Sequence, residues 1–314
     1  MTQATTTRGT IGRRSLIRGI GATTLAASFA PLWTPRVLAQ TIDTGSAELT
    51  VLSDGRLSLS LAFSFPEAPQ DELKKILADN GLSMDSPGPD CNITLVRSGE
   101  RLAIFDAGAG SNFMPTAGKL PESLEAAGID PADVTDVVIT HAHPDHIWGL
   151  TDDFDELVFA NAQVHIGQEE WDFWSAEDAI SKVPEDRQTF VVGAQNRFAA
   201  LGDNIRFLKA GDEVLPGIEA MATPGHTPGH TSFMVHGTEP VVILGDAMTN
   251  SAISLARPDW RAGTDQDPEQ AAKTRVTLLD RLATEKARVI GYHFPHPGAG
   301  VVERKDGAYR YVPA

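Results

Sequence analysis

The sequence predicts a layered α/β architecture built as one continuous domain. Two observations predict it. Short apolar, β-rich runs alternate with helical stretches along the chain after residue 39. No fixed-period repeat, low-complexity tract or Pro/Gly/Ser-rich linker interrupts that alternation. At 314 residues, 41% hydrophobic and 22% charged, the chain has enough apolar material for a sizeable core.

The elements follow in order. Leu49–Leu52 and Leu57–Leu61, around Asp54-Gly55, read as a hairpin. Asn92–Val96 and Leu102–Phe105, across Ser98-Gly99, read as another. Val137–Thr140 reads as a buried strand, and Val164–Ile166, Phe233–Val235, Val241–Leu244 and Val289–Gly291 as further strands. Helices are expected near Asp71–Asp79, Pro121–Ala127, Gln168–Trp174, Glu185–Ala200 and Pro268–Thr284.

Residues 1–39 stand apart. Gly12-Arg13-Arg14-Ser15-Leu16-Ile17-Arg18 resembles a twin-arginine export signal. An apolar run from Ile20 to Trp33 follows, and Val37-Leu38-Ala39 supplies small residues for cleavage before Gln40. The run is short of the roughly 20 apolar residues of a membrane span, and no other segment is long and apolar enough, so stable membrane insertion is not expected. The expected division is a signal peptide at 1–39 and a catalytic domain at 40–314. The export machinery is then a partner, and the location is periplasmic or secreted.

Those 39 residues hold five arginines and no acid; without them 21 basic residues face 42 acidic ones, a formal charge of −21. Such a surface repels nucleic acid and anionic lipid at moderate salt; it says little about a small neutral molecule, the substrate expected from the site below. Cys91 is the one cysteine, so no intrachain disulfide can form, and before the strand Asn92–Val96 it reads as a small buried apolar residue.

The chemistry concentrates in Thr140-His141-Ala142-His143-Pro144-Asp145-His146. Four potential metal ligands fall within six residues, directly after an apolar strand. His141 and His143 share one side of an extended chain, because side chains alternate with period two. Pro144 cannot continue a ladder and turns the backbone. Imidazole nitrogen and carboxylate oxygen are donors that zinc accepts at about 2.0–2.2 Å, while uncoordinated imidazoles packed this closely have no comparable structural use. Downstream, Thr223-Pro224-Gly225-His226-Thr227-Pro228-Gly229-His230 is a rigid loop presenting His226. The strands Val241–Leu244 and Val289–Gly291 end in Gly245-Asp246 and Tyr292-His293, where α/β folds place their sites.

These residues match the metallo-β-lactamase superfamily. The run His141-x-His143-x-Asp145-His146 is its signature, and His226, Asp246 and His293 fall in the expected order. The resemblance implies a four-layer αβ/βα sandwich. It implies one metal on His141, His143 and His226, and a second on Asp145, His146 and His293, with Asp246 bridging. Asp106, in Phe105-Asp106-Ala107-Gly108, is expected to orient a ligand histidine, and His230 to support the loop after His226. His165 and His236 read as ordinary strand or surface residues, and His296 as a loop residue or part of the pocket mouth. Two divalent ions about 3.5–4 Å apart, zinc by expectation, lower the pKa of a shared water toward 7 and polarise the substrate. Asp145 and Asp246 are the catalytic candidates for proton relay. Iron and manganese accept the same ligand types.

Cysteine count directs the choice within the superfamily. Asp246 stands where zinc β-lactamases place a cysteine ligand, as in lactonases and glyoxalase II-like thioesterases. His143 replaces the glutamate of flavodiiron proteins. The chain most resembles the methyl parathion hydrolase group, exported enzymes that cleave aryl phosphotriesters and sometimes lactones or esters. Leu52-Ser53-Asp54-Gly55, Asp172-Phe173-Trp174, Ala222–His230 and Gly307–Pro313 carry that likeness, with ligand spacings of 85, 20 and 47 residues. It implies an aromatic pocket of Phe113, Trp174 and Phe190, with Trp148 beside the metal motif in place of the small residue usual there. It also makes a homodimer the expected assembly. The expected activity is hydrolysis of an ester, lactone or aryl phosphotriester. The alternatives are a mononuclear iron persulfide dioxygenase of the same fold and a glyoxalase II-like thioesterase; metal analysis separates the dioxygenase from the hydrolases.

Overall fold

A computed structural model describes residues 41–314. The export-signal reading of residues 1–39 lies outside the described residues. Among the described residues, no helix is long and apolar enough to cross a membrane.

Two seven-stranded mixed sheets stack face to face. The first holds β1 (Thr41–Asp43), β2 (Glu48–Arg56), β3 (Asp90–Ser98), β4 (Arg101–Phe105), β5 (Asp136–Ile139), β6 (Gln163–Gly167) and β7 (Ile205–Leu208), in chain order. The second holds β8 (Glu213–Leu215), β9 (Ile218–Ala222), β10 (Thr231–Val235), β11 (Val241–Ile243), β12 (Arg288–Ile290), β13 (Ala299–Lys305) and β14 (Ala308–Pro313), again in chain order. β4 to β7 run parallel, as do β11 and β12; the other neighbours are antiparallel.

Period-two alternation explains the layering. On β5, Val138 faces the second sheet, while Val137 and Ile139 face outward; on β4, Ala103 and Phe105 face in and Ile104 faces out. Phe105 meets Phe233 edge-on at 5.2 Å across the two sheets. The eight helices, α1 to α8, are Leu61–Ser64, Gln70–Asp79, Leu120–Ala127, Pro144–Ile147, Gln168–Ser175, Gln188–Leu201, Ile253–Ala256 and Pro268–Glu285; α1 and α2 pack with Ile253 of α7 in a separate cluster. α3, α5 and α6 cover the first sheet with Leu124, Trp174, Val191 and Phe198; α8 covers the second with Leu278, Leu279 and Leu282. The result is the expected four-layer αβ/βα sandwich. Burying each such leucine contributes roughly 1.5–3 kcal/mol. Sequence sets the ends of α8: Asp267 accepts from Gln270 N–H at 3.0 Å and Pro268 occupies the first turn.

The first predicted hairpin is corrected. β2 continues through Asp54-Gly55 with an irregularity between Ser53 and Arg56, and no strand follows at 57–61. Asp54 does not make a turn. Its buried carboxylate accepts from Ala109 N–H (2.8 Å), Leu120 N–H (2.7 Å) and Gly118 N–H (3.3 Å), tying the 107–120 loop to the sheet. Gly55 adopts φ +90°, and a Cβ there would fall 2.3 Å from Thr116 O.

Candidate metal centre

The site lies where strands of both sheets end. β5 delivers Thr140 to His143, and α4 begins at Pro144 and presents Asp145 and His146. The β9–β10 loop presents His226; Asp246 and His293 follow β11 and β12. All seven side chains are buried. The fold brings together, across more than 150 positions, every residue predicted as a ligand.

For four of the five imidazoles, hydrogen bonding on the outer side sets which nitrogen faces inward. His146 Nδ1–H donates to Asp106 Oδ2 at 2.8 Å, His226 Nδ1–H to Asp265 Oδ1 at 3.1 Å, and His293 Nδ1–H to Asp90 O at 2.9 Å. His141 Nδ1 lies 3.1 Å from Thr140 Oγ1, whose hydroxyl donates to Asp106 Oδ2 at 2.8 Å. Inward-facing lone pairs remain on His141, His146, His226 and His293. His226 Nε2 lies 3.0 Å from His143 Nδ1 and 3.2 Å from Asp246 Oδ2. His293 Nε2 lies 3.2 Å from Asp246 Oδ2 and 3.3 Å from Asp145 Oδ2. His146 Nε2 lies 3.4 Å from both Asp145 Oδ2 and Asp246 Oδ1.

These separations test whether the residues fit a cation. Two donors bound tetrahedrally at about 2.0–2.1 Å stand about 3.3 Å apart, and the donor-to-donor distances cluster there. His141 Nε2, His146 Nε2, Asp145 Oδ2 and Asp246 Oδ1 are buried with no hydrogen-bond partner, a costly arrangement unless an ion satisfies them. His141, His143 and His226 form one group able to hold an ion, and His141, His146 and Asp246 another. Asp246 turns one oxygen toward His146 and the other toward His226 and His293. The residues present fit divalent ions.

Burial pushes Asp145 and Asp246 upward, but the neighbouring histidines outweigh it and hold both below the carboxylate range. Burial pulls His141 and His143 well down, and neighbouring imidazoles add to the effect, so both are neutral; at His146 and His293 burial pulls the same way, but Asp145 and Asp246 outweigh it and hold both well above the usual imidazole range. His230 is held at about 3, first by burial and then by His226; its Nε2 accepts from Asp246 N–H at 2.9 Å and its Nδ1 faces Thr223 Oγ1 at 2.8 Å.

A cavity of about 270 Å³ opens onto His143, Asp145, His226, Asp246 and His293, walled by Leu57, Leu59, Phe63, Phe113, Met114 and Phe190. Phe113 and Phe190 therefore stand where the sequence placed them. Trp174 and Trp148 do not line it. Trp174 is fully buried beneath His143, ring edge to ring at 5.6 Å, with its Nε1–H bonded to Glu170. Trp148 is half-buried behind Phe113 at 5.6 Å and packs against Gly193, so it shapes the wall from behind. His165 is buried and bonded to Asp136, His236 is exposed beside Glu219, and His296 bonds Asn92 through Nδ1.

Three further residues stand beside the predicted ligands. Asp265 reaches His226 and is paired with buried Arg275 at 2.8 Å. Tyr292 stacks on His146 at 3.9 Å and donates to Asp145 O at 2.5 Å. Cys91 is buried as expected, its thiol pushed up to about 11 by burial, but it also sits beside Asp145 and His293. Only Tyr292 was findable, through its place before His293.

The fold and this cluster define a class. The metallo-beta-lactamase superfamily model matches residues 87–293, and the chain belongs to that superfamily. Within it, the structure is similar to AidC, described as a dizinc quorum-quenching lactonase in complex with a product N-hexnoyl-L-homoserine. That likeness has a TM-score of 0.82 and 32% identity, and covers 88% of this chain and 97% of that one. It is also similar to AbOPH, described as a hydrolase in the beta lactamase superfamily, with TM-score 0.82, 28% identity, and 88% and 97% coverage. Metallo-beta-lactamase domain-containing protein 1 of Xenopus laevis is 27% identical over 194 residues, 60% of this chain and 66% of that protein. The chain thus spans just under two thirds of that relative's length.

Proposed function

We propose that this protein is a dinuclear metal-dependent hydrolase whose preferred bond is the ester of a lactone bearing an apolar acyl chain. One observation carries the reading: an apolar cavity opens directly onto the partnerless donors of Asp145 and Asp246. Leu57, Leu59, Phe63 and Met114 suit an alkyl chain, and the likeness to a dizinc lactonase supports the same class.

His141, His143 and His226 would hold one divalent ion, and Asp145, His146, His293 and Asp246 would hold a second; such ions would supply Lewis acidity toward a water and the substrate carbonyl. The protein's own groups do the rest. The apolar wall excludes bulk water and seats the acyl chain, so the scissile ester faces Asp145 and Asp246. These carboxylates, held ionised, are placed to take the proton released on attack and return it to the leaving alkoxide. Asp106, Asp265 and the Asp90 carbonyl fix the imidazoles that surround them.

Aryl phosphotriesters are a second reading, favoured by the aromatic faces of Phe113 and Phe190, 6.1 Å apart in the wall, and by the resemblance to the methyl parathion hydrolase group. Export through the twin-arginine route and dimerisation belong to the same proposal, resting on Arg13-Arg14 and on that resemblance.

The experiment is turnover of N-acyl homoserine lactones of graded chain length, aryl esters and paraoxon-like triesters by metal-analysed protein. Two zinc ions per chain with kcat/KM rising with acyl length supports the lactonase reading. A single iron per chain, or no turnover with two ions loaded, overturns it.

A further inference from the structure

Glu170, in the first turn of α5, is fully buried, and both of its carboxylate oxygens are saturated. Oε1 accepts from Ala142 N–H at 2.8 Å and Trp174 Nε1–H at 2.6 Å; Oε2 accepts from Thr227 Oγ1–H at 2.6 Å and Gly229 N–H at 3.0 Å. The addresses of these donors are the point. Ala142 separates His141 from His143, Thr227 follows His226, and Trp174 supports the His143 ring edge-on. One side chain therefore ties together the two segments that carry His141, His143 and His226. The contact is built closely: a Cβ on Gly229 would fall 2.0 Å from Glu170 N. Glu170 forms no ion pair among the described residues, and burying a carboxylate without a cation carries a desolvation cost that apolar core-filling would avoid.

We propose that Glu170 is a positioning residue for the centre: it holds the His141–His143 turn and the His226 loop in the register that lets three imidazoles meet at one ion. The inference rests on the metal-centre reading above.

Glu170→Gln tests it, because the two side chains have the same shape. A carboxamide has one acceptor oxygen, so its NH₂ group opposes one of the two donor pairs whichever way it is turned. The control is Asp136→Asn, which damages another buried carboxylate, bonded to His165 and Arg101 at the opposite end of β5. The readouts are zinc affinity by chelator competition, the d–d spectrum of the cobalt-substituted protein, and melting of the metal-free protein. Both variants lower the metal-free melting temperature. Glu170→Gln alone weakens zinc binding at the His141, His143 and His226 position, by about 10- to 100-fold, and shifts the cobalt spectrum. Thr227→Val and Trp174→Phe, which each remove one donor, give smaller losses and serve if Glu170→Gln does not fold. Wild-type affinity and spectrum in these variants overturn the proposal, as does equal weakening by Asp136→Asn. Wild-type protein that binds no divalent ion overturns the metal-centre reading itself.

Discussion

Strand β5 carries a histidine–aspartate network at each end, and the two are built differently. At its start, Asp136 is buried between His165 Nε2 at 2.8 Å and Arg101 Nε at 2.7 Å. Burial alone would push its carboxyl up, but these hydrogen bonds outweigh burial and hold it down. A cation is built into the chain. Beyond its end, Asp106, Asp145 and Asp246 form ion pairs with histidines only, among the described residues, and several inward atoms have no partner. The first network is electrostatically complete. The second keeps partnerless ligand atoms turned inward on His141, His146, Asp145 and Asp246, and those open valences, more than the count of histidines, distinguish that end of β5 as the candidate metal site.

This contrast can be broken at several points. The largest effect is expected from Asp246→Ala, which removes the carboxylate facing both ligand groups. Bound metal and lactone turnover should disappear together, with kcat/KM falling on the order of 10³-fold or more. Metal analysis beside the kinetic assay reads both, and retention of either would take Asp246 out of its bridging place. Next, Asp265→Asn weakens the acceptor for His226 Nδ1–H and the partner of Arg275. Zinc affinity should fall roughly 10- to 100-fold, with smaller losses in kcat, by chelator competition. Third, Asp136→Asn should lower stability by about 1–3 kcal/mol in denaturant unfolding while zinc content stays at the wild-type value. Zinc loss there would erase the distinction between the two ends.

The smallest effect on the metal centre concerns Asp54, a further buried carboxylate, which accepts from three backbone N–H groups and forms no ion pair among the described residues. Burial pushes its pKa up to about 6, against the pull of those donors. A carboxyl raised on folding favours the protonated state. Its stabilising contribution is complete below about pH 3.8 and is lost as pH rises through 6. The stability difference between wild type and Asp54→Asn, measured on metal-free protein, should therefore fall across that window by about 3 kcal/mol. A difference that grows with pH would show that the three donors win.

Sequence was most informative where one residue does one job. The ligands could be read because a donor at the end of an apolar strand has few other uses, and Phe113 and Phe190 because they flank the motif in a resembling group. Trp174 was misplaced because an aromatic at helical spacing signals burial without saying which face of the site it serves. Here its indole N–H is held by Glu170, one turn earlier, behind His143. Asp265, Glu170 and Asp54 were not legible at all. Each is a lone acid whose meaning comes from groups 28 to 66 residues away, a distance no local pattern spans. The misread hairpin has the same cause, since Asp54-Gly55 carries turn chemistry that a tertiary contact redirected.

Each sheet is laid down in chain order, so the first ends with β7 before the second begins with β8. His141 to His146 hang from one half of the chain, and His226, Asp246 and His293 from the other. Any ion gripped between them is a rivet through both halves. Cutting the chain between Leu208 and Glu213 would leave neither piece with a full grip. Resistance to heat should track the supply of free metal, gaining about 2.7 kcal/mol where its concentration stands a hundredfold above Kd.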